Sequence, residues 1–161
     1  MKKLLLPLIA LFVFAITATA QDAEEALKKA KKIYGNVATI SITDPEKAAA
    51  DLQEARQNID IAVANPDAIA EKSIYKLWET RAAIYNDIAQ NYISKKVVDA
   101  NFAEKLDMNP AVEAYDAITM GLKLPELKKW QTKEFVKHLV STANYLSNFG
   151  GIYYGDQDFP G

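Results

Sequence analysis

The chain has 161 residues, half of them apolar, with 19 basic and 21 acidic side chains and a formal net charge of −2. That balance argues against a nucleic-acid-binding protein, which needs Lys and Arg clustered on one face, and the apolar content argues against a disordered chain. The sequence contains no cysteine, so an oxidising compartment neither helps nor harms it.

The N-terminus has the pattern of a secretory signal peptide. Two lysines precede an apolar run from Leu4 to Ile16, and the small residues Ala18 and Ala20 follow it. The run is shorter than the roughly 18 residues that a membrane-spanning helix needs. No cysteine stands at the cleavage site to carry a lipid. We therefore expect a signal peptide over 1–20, export to the periplasm or cell envelope without stable membrane insertion after cleavage, and a helical domain over 21–161.

Two helices are predicted in the first half of the exported chain. The segment from Ala23 to Tyr34 is rich in helix formers, and Gly35-Asn36 is expected to end that helix. Thr43-Asp44-Pro45-Glu46 supplies a capping residue, a first-turn proline and an acidic residue near the positive helix end. A second helix is therefore predicted from Pro45 to Ala64, ended by Asn65-Pro66.

The next two helices begin at further capping residues. Asp67 is expected to cap a third helix, in which apolar residues recur every three or four positions from Ile74 to Tyr92. Residues 97–108 are the least periodic stretch, and we predict a connector there with at most one helical turn. Asn109-Pro110 begins a fourth helix, which is predicted to end near Gly121.

The fifth predicted helix is the longest, from about Glu126 to Tyr154. Its predicted buried stripe consists of Trp130, Val136, Leu139, Val140, Ala143, Leu146, Gly150 and Tyr153. No segment shows the alternation with period two that is typical of a strand. The predicted fold class is all-α, with antiparallel helices joined by short turns.

One phrase, Ala-x3-Ile-x2-[Ala/Gly]-x3-Pro, occurs twice at an offset of 59 positions. The copies are Ala55, Ile59, Ala62 and Pro66, and then Ala114, Ile118, Gly121 and Pro125. Their spacing places small and apolar side chains on one face of a helix that ends at a proline. A fixed internal offset of this kind indicates a repeat array.

Two further phrases complete the pattern, Trp78-x3-Ala82-x2-Tyr85 and Leu146-x3-Gly150-x2-Tyr153. With them the chain resembles the tetratricopeptide repeat family, moderately over 45–161 and poorly over 21–44. The resemblance implies an α-solenoid of antiparallel helix-turn-helix repeats. It also implies that four small residues allow paired helices to approach closely, namely Ala62, Ala82, Gly121 and Gly150.

The last residues fit the same template. Gly155 to Phe159 resembles the turn between the two helices of a repeat, which implies a chain cut inside a repeat. The nearby aromatic side chains are then expected to pack against the second helix of that repeat. They are Tyr145, Phe149, Tyr153, Tyr154 and Phe159.

The sequence shows no catalytic, cofactor-binding or metal-binding constellation. His138 is the only histidine, and we expect it to be a solvated or core-edge side chain rather than a general base. The glycine-rich phosphate-binding motifs are absent from the sequence. We therefore expect a protein that is not an enzyme and has no cofactor.

The resemblance implies a scaffold that binds an extended peptide or a protein partner on a concave helical surface, with no nucleic acid involved. The candidate contact residues are Lys76, Thr80, Asn86, Asn144 and Asn148. Two alternatives stay open: a helical small-ligand-binding or accessory module of a larger envelope enzyme or complex, and a structural N-terminal part of a longer solenoid. An open groove lined by Asn, Lys and Tyr would favour the scaffold, and a closed apolar pocket would favour the ligand-binding module.

Overall fold

The structure is a computed structural model that describes the backbone of residues 5–99, 102 and 106–156, and the side chains from residue 22 to residue 155 within those ranges. These residues form five α-helices and no strand, so the all-α prediction is confirmed for them. The helices are α1 (Leu5–Ile40), α2 (Pro45–Val63), α3 (Glu71–Val98), α4 (Pro110–Leu122) and α5 (Lys129–Asp156), with a 3-10 turn at Pro66–Ala68. The signal peptide predicted at 1–20 lies outside the residues whose side chains are described.

The chain divides into two compact units, Met1–Leu77 and Trp78–Gly161. In the first unit, α1 and α2 pack against each other, and the short turn at 41–44 makes them antiparallel. The buried apolar residues are Ala23, Ala26, Leu27, Ala30 and Val37 on α1, and Ala48, Leu52, Ala55, Ile59 and Ala62 on α2. Because most of these side chains are small, the two backbones can approach closely.

Helix α1 does not end where the sequence predicted. It continues through Gly35-Asn36 to Ile40, so the predicted end at Gly35 is wrong. No described glycine has a positive φ, and Val37, one half-turn later, is buried. Burial of that side chain outweighs the roughly 1 kcal/mol that a glycine costs inside a helix.

Helix α2 begins and ends close to the prediction, at Pro45 and Val63. The Asp44 carboxylate accepts a hydrogen bond from the backbone N–H of Lys47 at 3.0 Å, which satisfies one of the free donors at the helix start. The Ala55-Ile59-Ala62 phrase is fully buried on this helix, as its spacing predicts.

The start of α3 uses a different cap from the predicted one. Asp67 lies in the 3-10 turn, and the helix begins only at Glu71. The backbone N–H of Ala70 donates to the Glu24 carboxylate of α1 at 2.7 Å. The prediction of Asp67 as the cap is therefore wrong, because a side chain from another helix satisfies this terminus.

Helix α3 is buried on more than one side between Tyr75 and Ala89. Its predicted stripe is confirmed: Leu77, Trp78, Ala82, Tyr85 and Ile88 are buried, and Ile74 and Tyr92 are half-buried. Other buried side chains lie outside that stripe, namely Tyr75, Thr80, Ala83, Ile84, Asn86 and Ala89. The described residues between Val98 and Pro110 are not helical, as predicted for the connector.

The second unit contains most of α3 together with α4 and α5. Contacts along α3 and α5 advance in the same direction, with Asn86 near Thr142 and Tyr92 near Phe149, so these two helices are parallel. Helix α4 begins at the predicted Asn109 cap, whose side chain accepts from the backbone N–H of Ala111 at 3.0 Å. It forms an antiparallel hairpin with α5.

Helix α5 begins three residues later than predicted. Glu126 has a φ of 60°, which lies in the left-handed region and cannot belong to a right-handed helix. The helix begins at Lys129, and the Gln131 side chain accepts from the backbone N–H of Lys128 at 2.8 Å. That bond supplies half of a capping box. The helix extends through Gly155 to Asp156, so the predicted inter-helix turn does not start at Gly155.

The predicted buried stripe of α5 is also wrong. The fully buried residues are Phe135, Thr142 and Phe149, which recur every seven residues. The predicted stripe residues Trp130, Val136, Val140, Ala143 and Gly150 are exposed, whereas Leu139, Leu146 and Tyr153 are half-buried. The helix is therefore rotated relative to the prediction, and an apolar flank of it faces outward.

Candidate protein-interaction face

Two of the predicted contact residues lie in the interior. Thr80 is 5 % exposed and Asn86 is 4 % exposed. The Asn86 amide accepts a hydrogen bond from the Thr142 hydroxyl at 2.9 Å and donates to the His138 carbonyl at 3.4 Å. These bonds join α3 to α5 within the chain. A partner cannot reach either side chain in this conformation, so their placement on an accessible surface is wrong.

The other three predicted contact residues differ in their surroundings. Lys76 is half-buried, with its Nζ 5.2 Å from the centre of the Tyr75 ring. Asn144 and Asn148 are exposed on α5, and the Asn148 amide donates to the Asn144 carbonyl at 2.8 Å. The Asn144 amide and the carbonyl oxygen of the Asn148 side chain face a solvent-accessible surface that a partner could contact.

His138 is half-buried beside this hydrogen-bonded contact between α3 and α5. Burial lowers the pKa of its imidazole from the ordinary value of 6.5, because the cation loses hydration. The carboxylates of Glu79, Glu134 and Asp87 act in the opposite direction, more weakly than burial. This placement agrees with the prediction of a core-edge side chain.

The aromatic side chains at the end of α5 pack within the chain. The Phe149 ring stacks on Tyr92 of α3, with 5.5 Å between the ring centres, and Tyr153 lies 5.9 Å from Phe149. The Phe102 ring also contacts Tyr92, edge-on, with 5.6 Å between the ring centres. Phe149 therefore needs no further helix to bury it, contrary to the prediction. Tyr154 is exposed, and Phe159 lies outside the described residues.

The close approach expected at Gly121 is present where α4 crosses α5. A Cβ atom added to Gly121 would overlap the ring of Phe135, which is fully buried. Only glycine leaves room for that ring. Gly150 is different, because a Cβ added there meets nothing within 4 Å. The prediction that Gly150 lies at a helix crossing is therefore wrong for the described residues.

Eight large apolar side chains are exposed among the described residues of α4 and α5, and all of them except Met120 and Trp130 are grouped here as one set. We call this set the α4–α5 apolar face: Val112, Tyr115 and Leu122 on α4, and Val136, Val140 and Tyr154 on α5. Val140 is 61 % exposed and Tyr154 is 76 % exposed. Scattered apolar side chains are normal on a surface, whereas a large contiguous apolar patch is typical of an interaction site.

Helical geometry shows why these residues share one side. On α4, Glu113 points towards α3 and forms an ion pair with Arg81 at 2.6 Å, whereas Tyr115 and Leu122 lie on the other flank of the helix. On α5, Thr142 contacts α3, and Val140 lies on the opposite flank. Both exposed stripes are turned away from α3, so they border the same side of the hairpin.

The predicted elements do not include this face, although the sequences of both helices carry a signal for it. Helix α4 has a second apolar stripe at Val112, Tyr115 and Leu122, beside the repeated phrase. On α5 the phenylalanines at 135 and 149 share the spacing of the true buried face. Assigning these two large rings to the interior would have placed Val140 outside.

The described residues hold neither a metal-binding nor a membrane-spanning element. No group of three or more His, Asp or Glu side chains among them could hold a metal ion. Likewise, none of the helices in the described part of the chain is both long and apolar enough to cross a bilayer.

The family resemblance has a structural feature against it. A 34-residue tetratricopeptide repeat contains two helices, whereas α3 and α5 have 28 residues each. Comparison of the chain with protein-family models, curated proteins and solved structures found no match.

Proposed function

We propose that the chain is a non-enzymatic protein-interaction scaffold of the periplasm or cell envelope. A partner protein covers the α4–α5 apolar face, and neither a cofactor nor nucleic acid takes part. The single observation that carries this proposal is the exposure of six large apolar side chains on one side of one hairpin. The secretory pattern at the N-terminus supports the compartment.

Helix-on-helix docking is the mode of binding that this surface favours. A groove bordered by two helices accepts an amphipathic helix whose apolar residues recur every three or four positions. Each large side chain that becomes fully buried contributes about 1.5–3 kcal/mol. The exposed amides of Asn144 and Asn148 lie beside the face, on the next flank of α5, and can bind the backbone of an extended segment.

A tetratricopeptide-like architecture is part of the proposal. It is supported by the order of the helices in the second unit, where parallel α3 and α5 both contact the antiparallel α4. First and second helices of successive pairs alternate in this way. The burial of the alanine, isoleucine and small residue of both copies of the repeated phrase also supports it.

Affinity capture from an envelope extract tests the proposal with three proteins: wild type, Val140→Glu and Ile42→Glu. Val140 lies on the apolar face, and Ile42 is an equally apolar, 86 % exposed residue in the turn between α1 and α2. We expect Val140→Glu to lose a bound protein that wild type and Ile42→Glu both retain. Equal recovery by all three proteins would refute the assignment of the face.

Asn148→Ala tests the amide flank in the same capture experiment. If an extended segment binds there, recovery of the bound protein should fall about fivefold or more, because a good hydrogen bond contributes about 1 kcal/mol. Unchanged recovery would restrict the binding site to the apolar residues.

A further inference from the structure

The outward flank of α5 contains two glycines that the described part of the chain does not explain. Gly150 and Gly151 lie inside the helix, both are exposed, and a Cβ added to either would meet nothing within 4 Å. Each glycine costs roughly 1 kcal/mol relative to alanine in a helix. They leave a shallow gap in which the backbone of α5 is open to close approach.

Side-chain size follows an order along this flank. Val136 and Val140 come first, the small residues Ala143 and Ser147 follow, and Gly151 and Tyr154 complete the flank. All six are exposed. Val136 and Val140 therefore give bulk at the start of the flank, the middle is flat, and the Gly151 gap is followed by the Tyr154 ring at the end.

We propose that a second copy of this chain docks on this flank, with its α5 antiparallel to the first. The inference rests on the proposed function, since it names the protein that covers the apolar face. A two-fold axis near the middle of the flank places Val140 of one copy against Gly151 of the other. The same axis places Val136 against Tyr154, so that each large side chain meets a gap or a ring.

Charge favours the antiparallel direction. Lys133 and Lys137 are exposed in the first half of α5. The carbonyl end of a helix carries a partial negative charge of about half an elementary unit. Antiparallel docking brings the lysines of each copy to the negative end of the other. Parallel docking would oppose lysine to lysine and leave the glycine gaps facing each other.

Helix α4 extends the contact. A single pair of helices buries little of the roughly 1,200 Å² or more that a stable interface needs. Val112, Tyr115 and Leu122 border the same side of the hairpin, and they can contact the second copy of α5 where it lies along the groove. The resulting interface is a four-helix arrangement of two α4–α5 hairpins.

Light scattering on the protein purified from cells that express the full sequence tests the association. We expect wild type to have twice the mass of one chain. Ala143→Arg places a charge at the centre of the interface and should raise the dissociation constant about 30-fold or more. The matched control, Ala50→Arg, makes the same substitution at an exposed alanine of α2 and should remain dimeric. A monomeric wild type, or a dimer that Ala143→Arg leaves intact, would overturn the proposal.

Cysteine cross-linking tests the direction, and the absence of native cysteines makes the result unambiguous. When Val140→Cys protein is mixed with Gly151→Cys protein and oxidised, we expect a covalent dimer that contains one of each. Neither variant alone should cross-link efficiently, because identical positions lie roughly 16 Å apart along the axis and a disulfide needs Cα atoms within about 7 Å. Efficient linkage of Val140→Cys to itself would show parallel docking and overturn the proposal.

The two proposals fail in different ways. If the protein is monomeric but captures another protein through Val140, the proposed interaction function stands and the second copy is not the partner. If the protein is monomeric and Val140→Glu does not change the recovery of any bound protein, both proposals are refuted.

Discussion

The crossing of α4 and α5 at Gly121 predicts how much stability the protein loses when one methyl group is added there. Gly121→Ala places a Cβ inside the contact distance of the Phe135 ring, and that ring is fully buried and cannot turn into solvent. Overpacking of this kind costs about 1–3 kcal/mol. Alanine also stabilises a helix by roughly 1 kcal/mol relative to glycine because of its higher helix propensity. We therefore expect a net loss of up to about 2 kcal/mol in the free energy of unfolding.

The matched control is Gly35→Ala, the same substitution inside α1. A Cβ at Gly35 meets nothing within 4 Å, and the glycine has no positive φ. Only the difference in helix propensity remains, so the free energy of unfolding of this variant should rise by up to about 1 kcal/mol. Urea denaturation followed by circular dichroism at one protein concentration measures both changes. If Gly121→Ala were as stable as Gly35→Ala, the close approach of α4 and α5 would be refuted.

A double-mutant cycle isolates the contact itself. In a Phe135→Leu background the ring that opposes the new methyl group is gone, so Gly121→Ala should cost less than in the wild type by about 1 kcal/mol or more. Additive effects would mean that the methyl group acts somewhere other than on Phe135.

Three further outcomes follow from the described contacts. Trp78→Ala should cost about 3–5 kcal/mol in urea denaturation, because the 6 % exposed indole leaves a cavity; a loss below about 1 kcal/mol would show that the indole is solvated. Glu113→Gln should lower the free energy of unfolding by about 1–3 kcal/mol, because the mostly buried Arg81 guanidinium loses its charged partner at 2.6 Å. A double-mutant cycle with Arg81→Met should give a coupling energy well above zero. The pKa of His138 in the folded state is below 6.5, so the unfolded chain binds the proton more readily and the protein loses stability as the pH falls through about 6.5. His138→Gln should reduce that loss of stability between about pH 7.5 and about pH 5.5. An unchanged dependence of stability on pH in the variant would contradict this prediction.

Helix starts were predictable where the cap is local. Asp44 and Asn109 lie next to the prolines that begin α2 and α4, and each side chain accepts from a backbone N–H within three residues. The start of α3 was not predictable by this rule. Its cap is Glu24, which is 46 residues away in sequence from Ala70, and local patterns carry no information about such a contact.

The phase of α5 could not be determined from apolar spacing alone. Two stripes of the helix are periodic, one through Val136 and Val140 and one through Phe135, Thr142 and Phe149. Thr142 counts as polar in any hydrophobic pattern, yet it is fully buried because its hydroxyl donates to Asn86. Apolar spacing therefore favours the stripe through Val136 and Val140 for the core, whereas that stripe is exposed.

The proposed contact residues were affected by the same limit. Positions on α3 look like a polar face when one helix is considered by itself, but Thr80 and Asn86 are buried because α3 is covered on more than one side. Asn144 and Asn148 remain exposed because they lie on a flank of α5 that points away from α3.

Site-specific photo-cross-linking in living cells tests most directly whether the α4–α5 apolar face is an interaction surface. A photoreactive amino acid replaces Val140 in one strain and Ile42 in another, and adducts are identified by mass. The account predicts a discrete adduct from position 140, at twice the mass of the chain, and none from position 42. An absence of adducts at position 140, or the same diffuse products from both positions, would contradict it.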